Sequence, residues 1–108
     1  MVFDIHEVGG IGEFVTEEKT LGDGDDAEKV LLYEVASEEP KTFLVVRKNT
    51  LEVRTDGKLK NLLRERYESV MESRYFGKGG IEIVNSGQLT ADEINDLVRL
   101  SYQLSEAK

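Results

Sequence analysis

The sequence predicts an α+β domain with a mainly antiparallel sheet and its helices packed on one face. Three observations carry that prediction. Between residues 29 and 55, three strand-like stretches follow one another through short links, which makes an antiparallel meander. Two stretches with helical spacing come next, one before and one after a fourth short strand. No crossover places strands in parallel, so the order is β-β-β-α-β-α, which belongs to a two-layer sheet-and-helix architecture.

Lys29 to Ala36 opens the meander, with Leu31, Tyr33 and Val35 alternating on one face and Val30 and Leu32 on the other. Ser37 to Lys41 is a turn around the single proline, Pro40. Thr42 to Lys48 is β-branched and aromatic, and Asn49-Thr50 turns the chain. In Leu51 to Thr55, Leu51 and Val53 point inward while Glu52 and Arg54 point outward.

Asp56 is placed to cap a helix, because its carboxylate can accept from the free N–H groups of the first turn. Leu59, Leu62, Leu63, Tyr67, Val70 and Met71 then recur at helical spacing, with Lys58, Lys60, Arg64 and Glu65 on the outer side and the end expected near Met71 to Ser73. Arg74-Tyr75-Phe76 leads through Gly77-Lys78-Gly79-Gly80 into a short strand, Ile81 to Val84. Thr90-Ala91-Asp92-Glu93 is a capping box. Behind it, Ile94, Leu97, Val98, Ser101 and Leu104 form the buried stripe of a last helix, flanked by Leu100 and Tyr102, with Lys108 suited to its C-terminal end.

Residues 1–28 are read as an N-terminal extension or extra hairpin. Val2, Ile5 and Val8 are apolar, glycines interrupt at Gly9, Gly10 and Gly12, and a second apolar stretch begins at Phe14-Val15. The domain proper is read as residues 29–108.

With 108 residues the chain is one domain, large enough for a core without metal or disulfide staples. It has no cysteine, which excludes disulfides, thiolate metal sites and a cysteine nucleophile. No apolar run is long enough to span a membrane and no signal peptide opens the chain, so no membrane partner and a cytoplasmic location are expected. The net charge is −8, distributed as −10 over residues 1–40, +5 over 41–80 and −3 over 81–108. The whole argues against nucleic acid, while the middle segment has the basic bias of an interaction surface.

Candidate nucleic-acid contacts are Arg47, Lys48 and Arg54 on adjacent strands, Arg64 on the helix, and Arg74, Tyr75 and Lys78 around the turn. Phosphate contacts need cations converging on one face, and an aromatic ring can stack on bases. The glycines around Lys78 precede a strand and no Ser/Thr follows the lysine, so a turn requiring positive φ fits them better than a phosphate-binding loop. Asp23-Gly24-Asp25-Asp26 lacks the ligand spacing of a calcium loop. His6, the single histidine, has no accompanying nucleophile motif. No catalytic residue, metal or cofactor is expected, and the chain is read as non-enzymatic. The alternative is a protein-interaction or chaperone-like module, binding a protein partner or a second copy through an open sheet face that leaves Val30, Leu32, Leu44 or Val46 partly exposed.

Several of these stretches together resemble the MmcQ/YjbR-like family of small bacterial domains, from about Lys29 to Leu104. Val53-Arg54-Thr55-Asp56 with Leu62-Leu63-Arg64-Glu65-Arg66-Tyr67 is similar to the family's strand, Asp-capped turn and helix. Ser73-Arg74 through Lys78 to Val84 is similar to its turn and following strand. Ser86-Gly87-Gln88-Leu89 with Leu97 to Tyr102 is similar to its closing turn and helix, Ser101-Tyr102 included. Where many members carry Asn-Lys-x-His-Trp, this chain has Gly77-Lys78-Gly79-Gly80-Ile81, and only Lys78 is kept. The family's N-terminal helix is not recognisable in residues 1–28. The resemblance implies a sheet-and-helix fold related in shape to frataxin-like or secretion-chaperone-like folds, and a binding domain often labelled DNA-binding.

Overall fold

The computed structural model describes residues 3–106. Val2 and Lys108, expected to take part in an N-terminal apolar pattern and a helix end, lie outside the described residues. The elements are β1 (Phe14–Leu21), β2 (Glu28–Val35), β3 (Thr42–Val46), β4 (Thr50–Arg54), α1 (Gly57–Arg66), β5 (Val70–Ser73), β6 (Gly77–Val84) and α2 (Ala91–Glu106). The six strands form one antiparallel sheet in the order β1-β2-β3-β4-β6-β5. Both helices pack on the same face, α2 over β3 and β4 and α1 over β5 and β6. Among the described residues, no helix is long and apolar enough to cross a membrane.

The α+β expectation holds, with two strands added. β1 pairs with β2 along its whole length, so Phe14-Val15 begins an edge strand of the same sheet. The second addition corrects the first helix. α1 ends at Arg66, Tyr67 turns to extended backbone, and Val70–Ser73 joins the sheet beside β6. Val70 and Met71 have helical spacing from Leu63, but alignment beside β6 lets their backbone groups join a ladder. Val70 is then buried against the main core while Met71 is exposed. The side of α1 that is buried differs too. Leu62, read as inward, is 58% exposed, and Lys60, read as outward, is buried with its ammonium on Glu72 at 2.6 Å.

The caps are as the sequence implies. Asp56 accepts from the Leu59 N–H at 2.8 Å. Thr90 Oγ1 accepts from the Glu93 N–H and Glu93 accepts from the Thr90 N–H, closing the capping box. On α2 the buried stripe is Ile94, Leu97, Val98, Ser101, Tyr102 and Ser105, while Leu104 is exposed. Ser101 Oγ donates to the Phe43 carbonyl and accepts from the Arg54 N–H, fastening α2 to β3 and β4. The N-terminal segment runs back over the helix layer. Ile5 and Val8 enter the core, Arg99 donates to the Gly9 carbonyl and Tyr102 Oη to the Glu13 carbonyl.

The helix-side core is apolar: Phe43, Leu44, Leu51, Val53, Ile81, Ile83, Ile94 and Val98 are essentially sealed from solvent. The opposite face has no helix over it, yet Val30, Leu32, Val45, Glu52 and Glu82 are buried there as well. Phe76 and Leu21 pack against its small apolar cluster. Phe76 reaches that position because the β5–β6 turn folds back over Gly80, where a Cβ would collide with the Phe76 side chain and the Val53 carbonyl.

Candidate functional site

The helix-free face is where most of the sequence-selected cations gather. Arg47 follows β3, Arg54 ends β4, and Arg74 sits in the turn between β5 and β6. Strand alternation puts the first two on the side shared by Val45 and Glu52. Arg74 reaches the same side through Glu82, which pairs directly with Glu52 across β4 and β6.

Each of these arginines is engaged inside the domain. Arg47 Nε donates to Glu52 at 2.5 Å and its Nη1 to Glu28 at 2.7 Å. Arg74 makes a two-pronged contact with Glu82 at 2.9 and 2.7 Å, and Thr50 Oγ1 donates to the same carboxylate. Arg54 Nε donates to the Thr42 carbonyl at 2.7 Å, and its guanidinium lies 4.8 Å from the centre of the Phe76 ring. Glu52, fully buried, organises the turn: one oxygen accepts from Ser73 Oγ at 2.7 Å and from the Tyr75 N–H at 2.8 Å. Ser73 Oγ in turn accepts from the Phe76 N–H.

The electrostatics follow from this wiring. Burial alone would lower the Arg47 pKa, but the hydrogen bonds to Glu52 and Glu28 reverse the effect and raise it. Burial would raise Glu82, but Arg74 and Thr50 hold its carboxyl below the ordinary carboxylate value. The network is thus a set of largely paired charges, of which Arg74, held by Glu82 with its side chain 60% exposed, is the most open.

The remaining candidates divide. Lys60 pairs with Glu72 at 2.6 Å, and the charges of Arg64 and Lys78 act on the same carboxylate. Lys60 holds that carboxyl below the ordinary range by hydrogen bond and by charge, and the charges of Arg64 and Lys78 add to the effect. Lys60 also donates to the Lys78 carbonyl at 3.3 Å, tying α1 to the start of β6. Tyr75 is exposed at the tip of the adjoining turn and meets Phe76 edge to face at 5.1 Å between ring centres. Lys48 is exposed on the β3–β4 turn, at the end of the sheet near Val84 and Asn85, away from the β5–β6 turn. The seven candidates therefore form two groups and one outlier rather than a single surface.

Three residues central to this arrangement are not among those the sequence singles out: Glu52, Glu82 and Lys60. Two carry a readable signal. Arg47 lies diagonally across the tight β3–β4 hairpin from Glu52, and Arg74, in the β5–β6 turn, reaches back to Glu82 on β6. Opposite charges at such hairpin spacings are cross-strand partners.

Several expectations need correction. Val30 and Leu32 are buried on the helix-free face, and Leu44 and Val46 lie on the helix side, so the exposed apolar patch expected from these four does not form. Of the turn glycines, only Gly77 has positive φ, at 60°, placing it after a three-residue turn in a hairpin, while Gly80 is required for close approach. Asp23 to Asp26 forms a short 310 turn, and His6 is exposed in another. A groove of about 710 Å3 lies between the β2–β3 link and the end of α2, bordered by Glu38, Glu39 and Tyr102. His6 is not among its lining residues. Among the described residues, no cluster of metal-ligating side chains forms.

No family model matches the chain, and no curated protein matches it. Among solved structures, the crystal structure of Deinococcus radiodurans protein DR2400, with family-model domain DUF419, is similar. It has a TM-score of 0.69 at 17% identity, over 84% of this chain and 70% of that one. At that identity the likeness establishes the fold. This chain shares that structure's α+β fold, here a six-stranded antiparallel sheet with two helices.

Proposed function

We propose that the chain is a non-enzymatic, cytoplasmic binding domain of the MmcQ/YjbR-like kind that engages nucleic acid through the α1–β5–β6 corner. The observation that supports this reading is that Lys60 is paired with Glu72 at 2.6 Å while the charges of Arg64 and Lys78 also act on that carboxylate. With Lys60 paired to Glu72, Arg64 and Lys78 add positive charge at this corner of a chain whose net charge is −8. Phosphates need such an excess, because paired guanidinium groups have little left to offer. Tyr75 adds an exposed ring on the adjoining turn for base stacking. Buried Arg47 with Glu52, and half-buried Arg54 beneath Phe76, take a structural role and position the turn without touching the ligand. The non-enzymatic reading draws support from the same wiring, since the buried carboxylates Glu52 and Glu82 are committed to internal donors.

The test is fluorescence anisotropy with labelled single- and double-stranded DNA at several salt concentrations. Binding that falls steeply with salt is expected, and Arg64→Ala/Lys78→Ala should lower the salt slope by about 1 for each phosphate no longer neutralised. Arg74→Ala, whose side chain is held by Glu82, should change binding less. Absence of binding at the lowest salt would overturn the DNA reading. Equal weakening in both variants would move the interface to the helix-free face.

A further inference from the structure

The sheet has two free edges of different character. β5 has four residues and an irregular register between Glu72 and Ser73. β1 has eight residues in unbroken register with β2, from Phe14 opposite Val35 to Leu21 opposite Glu28. The Ala36 N–H donates to the Glu13 carbonyl, which fixes the alternation. Val15, Glu17, Lys19 and Leu21 turn their backbone groups toward β2, and Phe14, Thr16, Glu18 and Thr20 turn theirs outward. An edge like this is a template for another strand.

Charges in the middle of β1 deter indiscriminate pairing, but their order is self-complementary. A second copy laid antiparallel about a two-fold axis through Glu18 places Glu17 opposite Lys19 of the second copy, twice. It also places Thr16 opposite Thr20 and Val15 opposite Leu21. In this register the residues that meet with outward N–H and C=O groups, Glu18 with Glu18 and Thr16 with Thr20, are those that can close the ladder. The two Glu18 carboxylates on the axis are each accompanied by Lys29 on β2, 3.9 Å away. Slipping the register by two residues either way brings Glu17 onto Glu17 or Lys19 onto Lys19. Val15, 51% exposed, would gain an apolar neighbour in Leu21 of the second copy.

We infer that the chain associates with a second copy of itself by antiparallel β1–β1 pairing, running one sheet through both copies with Glu17–Lys19 ion pairs setting the register.

Sedimentation velocity of the full chain over a wide concentration range tests this. The wild type should show a reversible monomer–dimer equilibrium. Glu17→Lys alone and Lys19→Glu alone turn both ion pairs into like-charge pairs, and each should weaken association about tenfold or more. An equimolar mixture of the two single variants restores both attractions and should dimerise, as should the double variant Glu17→Lys/Lys19→Glu. Glu18→Pro removes an outward N–H without touching the β1–β2 ladder and should abolish association, with circular dichroism checking that the fold is kept. A wild type that stays monomeric at its highest soluble concentration would overturn the inference. So would single charge variants that associate like the wild type, or a mixture that behaves like its components.

Discussion

The two faces of β4 hold the same amount of water, almost none, by opposite means. Leu51 and Val53 are sealed beneath the helix layer by apolar packing. Glu52, between them, is sealed on the other side by Arg47, Ser73 and the Tyr75 N–H, with no helix above it. Alternation along a strand encodes which side a residue faces, not whether that side is wet. A polar face closes only when its donors and acceptors match, and here Glu28, Glu52 and Glu82 meet Arg47 and Arg74. The apolar face tolerates small volume changes by relaxing. The polar face has less tolerance, because removing one charge strands its partner.

The largest effects should fall where that contrast is sharpest. Glu52→Ala leaves Arg47 buried beside Glu28 alone and removes the acceptor of Ser73 and the Tyr75 N–H. It should cost about 3–5 kcal/mol in chemical denaturation. Ile83→Ala on the apolar face should cost about 2–5 kcal/mol by cavity formation alone. The two differ in kind: restoring apolar volume at residue 83 recovers stability, whereas apolar volume at residue 52 with Arg47 kept does not.

Glu82→Gln comes next, at about 1–3 kcal/mol, since its partner Arg74 is largely exposed and can turn to water. The same residue sets an acid signature. Its folded pKa lies below the ordinary value of 4.5, so its contribution is fully present above that value and is lost as pH falls through the folded pKa. Glu72 and Glu93 are lowered as well, by Lys60 and by the Thr90 cap respectively, and act in the same direction. Stability should therefore decline from about pH 4.5 downward, and Glu82→Gln should flatten that decline in melts recorded across the acid range. The smallest effect is Thr90→Ala, which opens the capping box and should cost about 1 kcal/mol.

Local chemistry makes much of the fold legible. Asp56, Thr90 and Glu93 are caps because of groups within three residues of themselves, and their roles appear in the sequence directly. Val70 to Ser73 reads as helix because helical spacing continues past Tyr67, and only β6, later in the chain, offers the competing ladder. The candidate site is legible in part. The basic bias of residues 41–80 points to the right elements, but not to which cations stay free. Arg47 is neutralised by Glu28 on a neighbouring strand and Lys60 by Glu72 across the sheet edge, pairings that depend on register and tertiary packing.

A double-mutant cycle on Arg47 and Glu52 tests most directly whether the helix-free face is a second core rather than a ligand surface. Arg47→Met and Glu52→Leu should each cost about 3–5 kcal/mol in urea unfolding, while the double variant should cost far less than their sum, because no stranded charge remains. Single variants that each cost under about 1 kcal/mol, and add without coupling, would mean that water already reaches the pair, as it does at a surface. The face would then be open to a ligand, and its buried ion pairs would not form a second core.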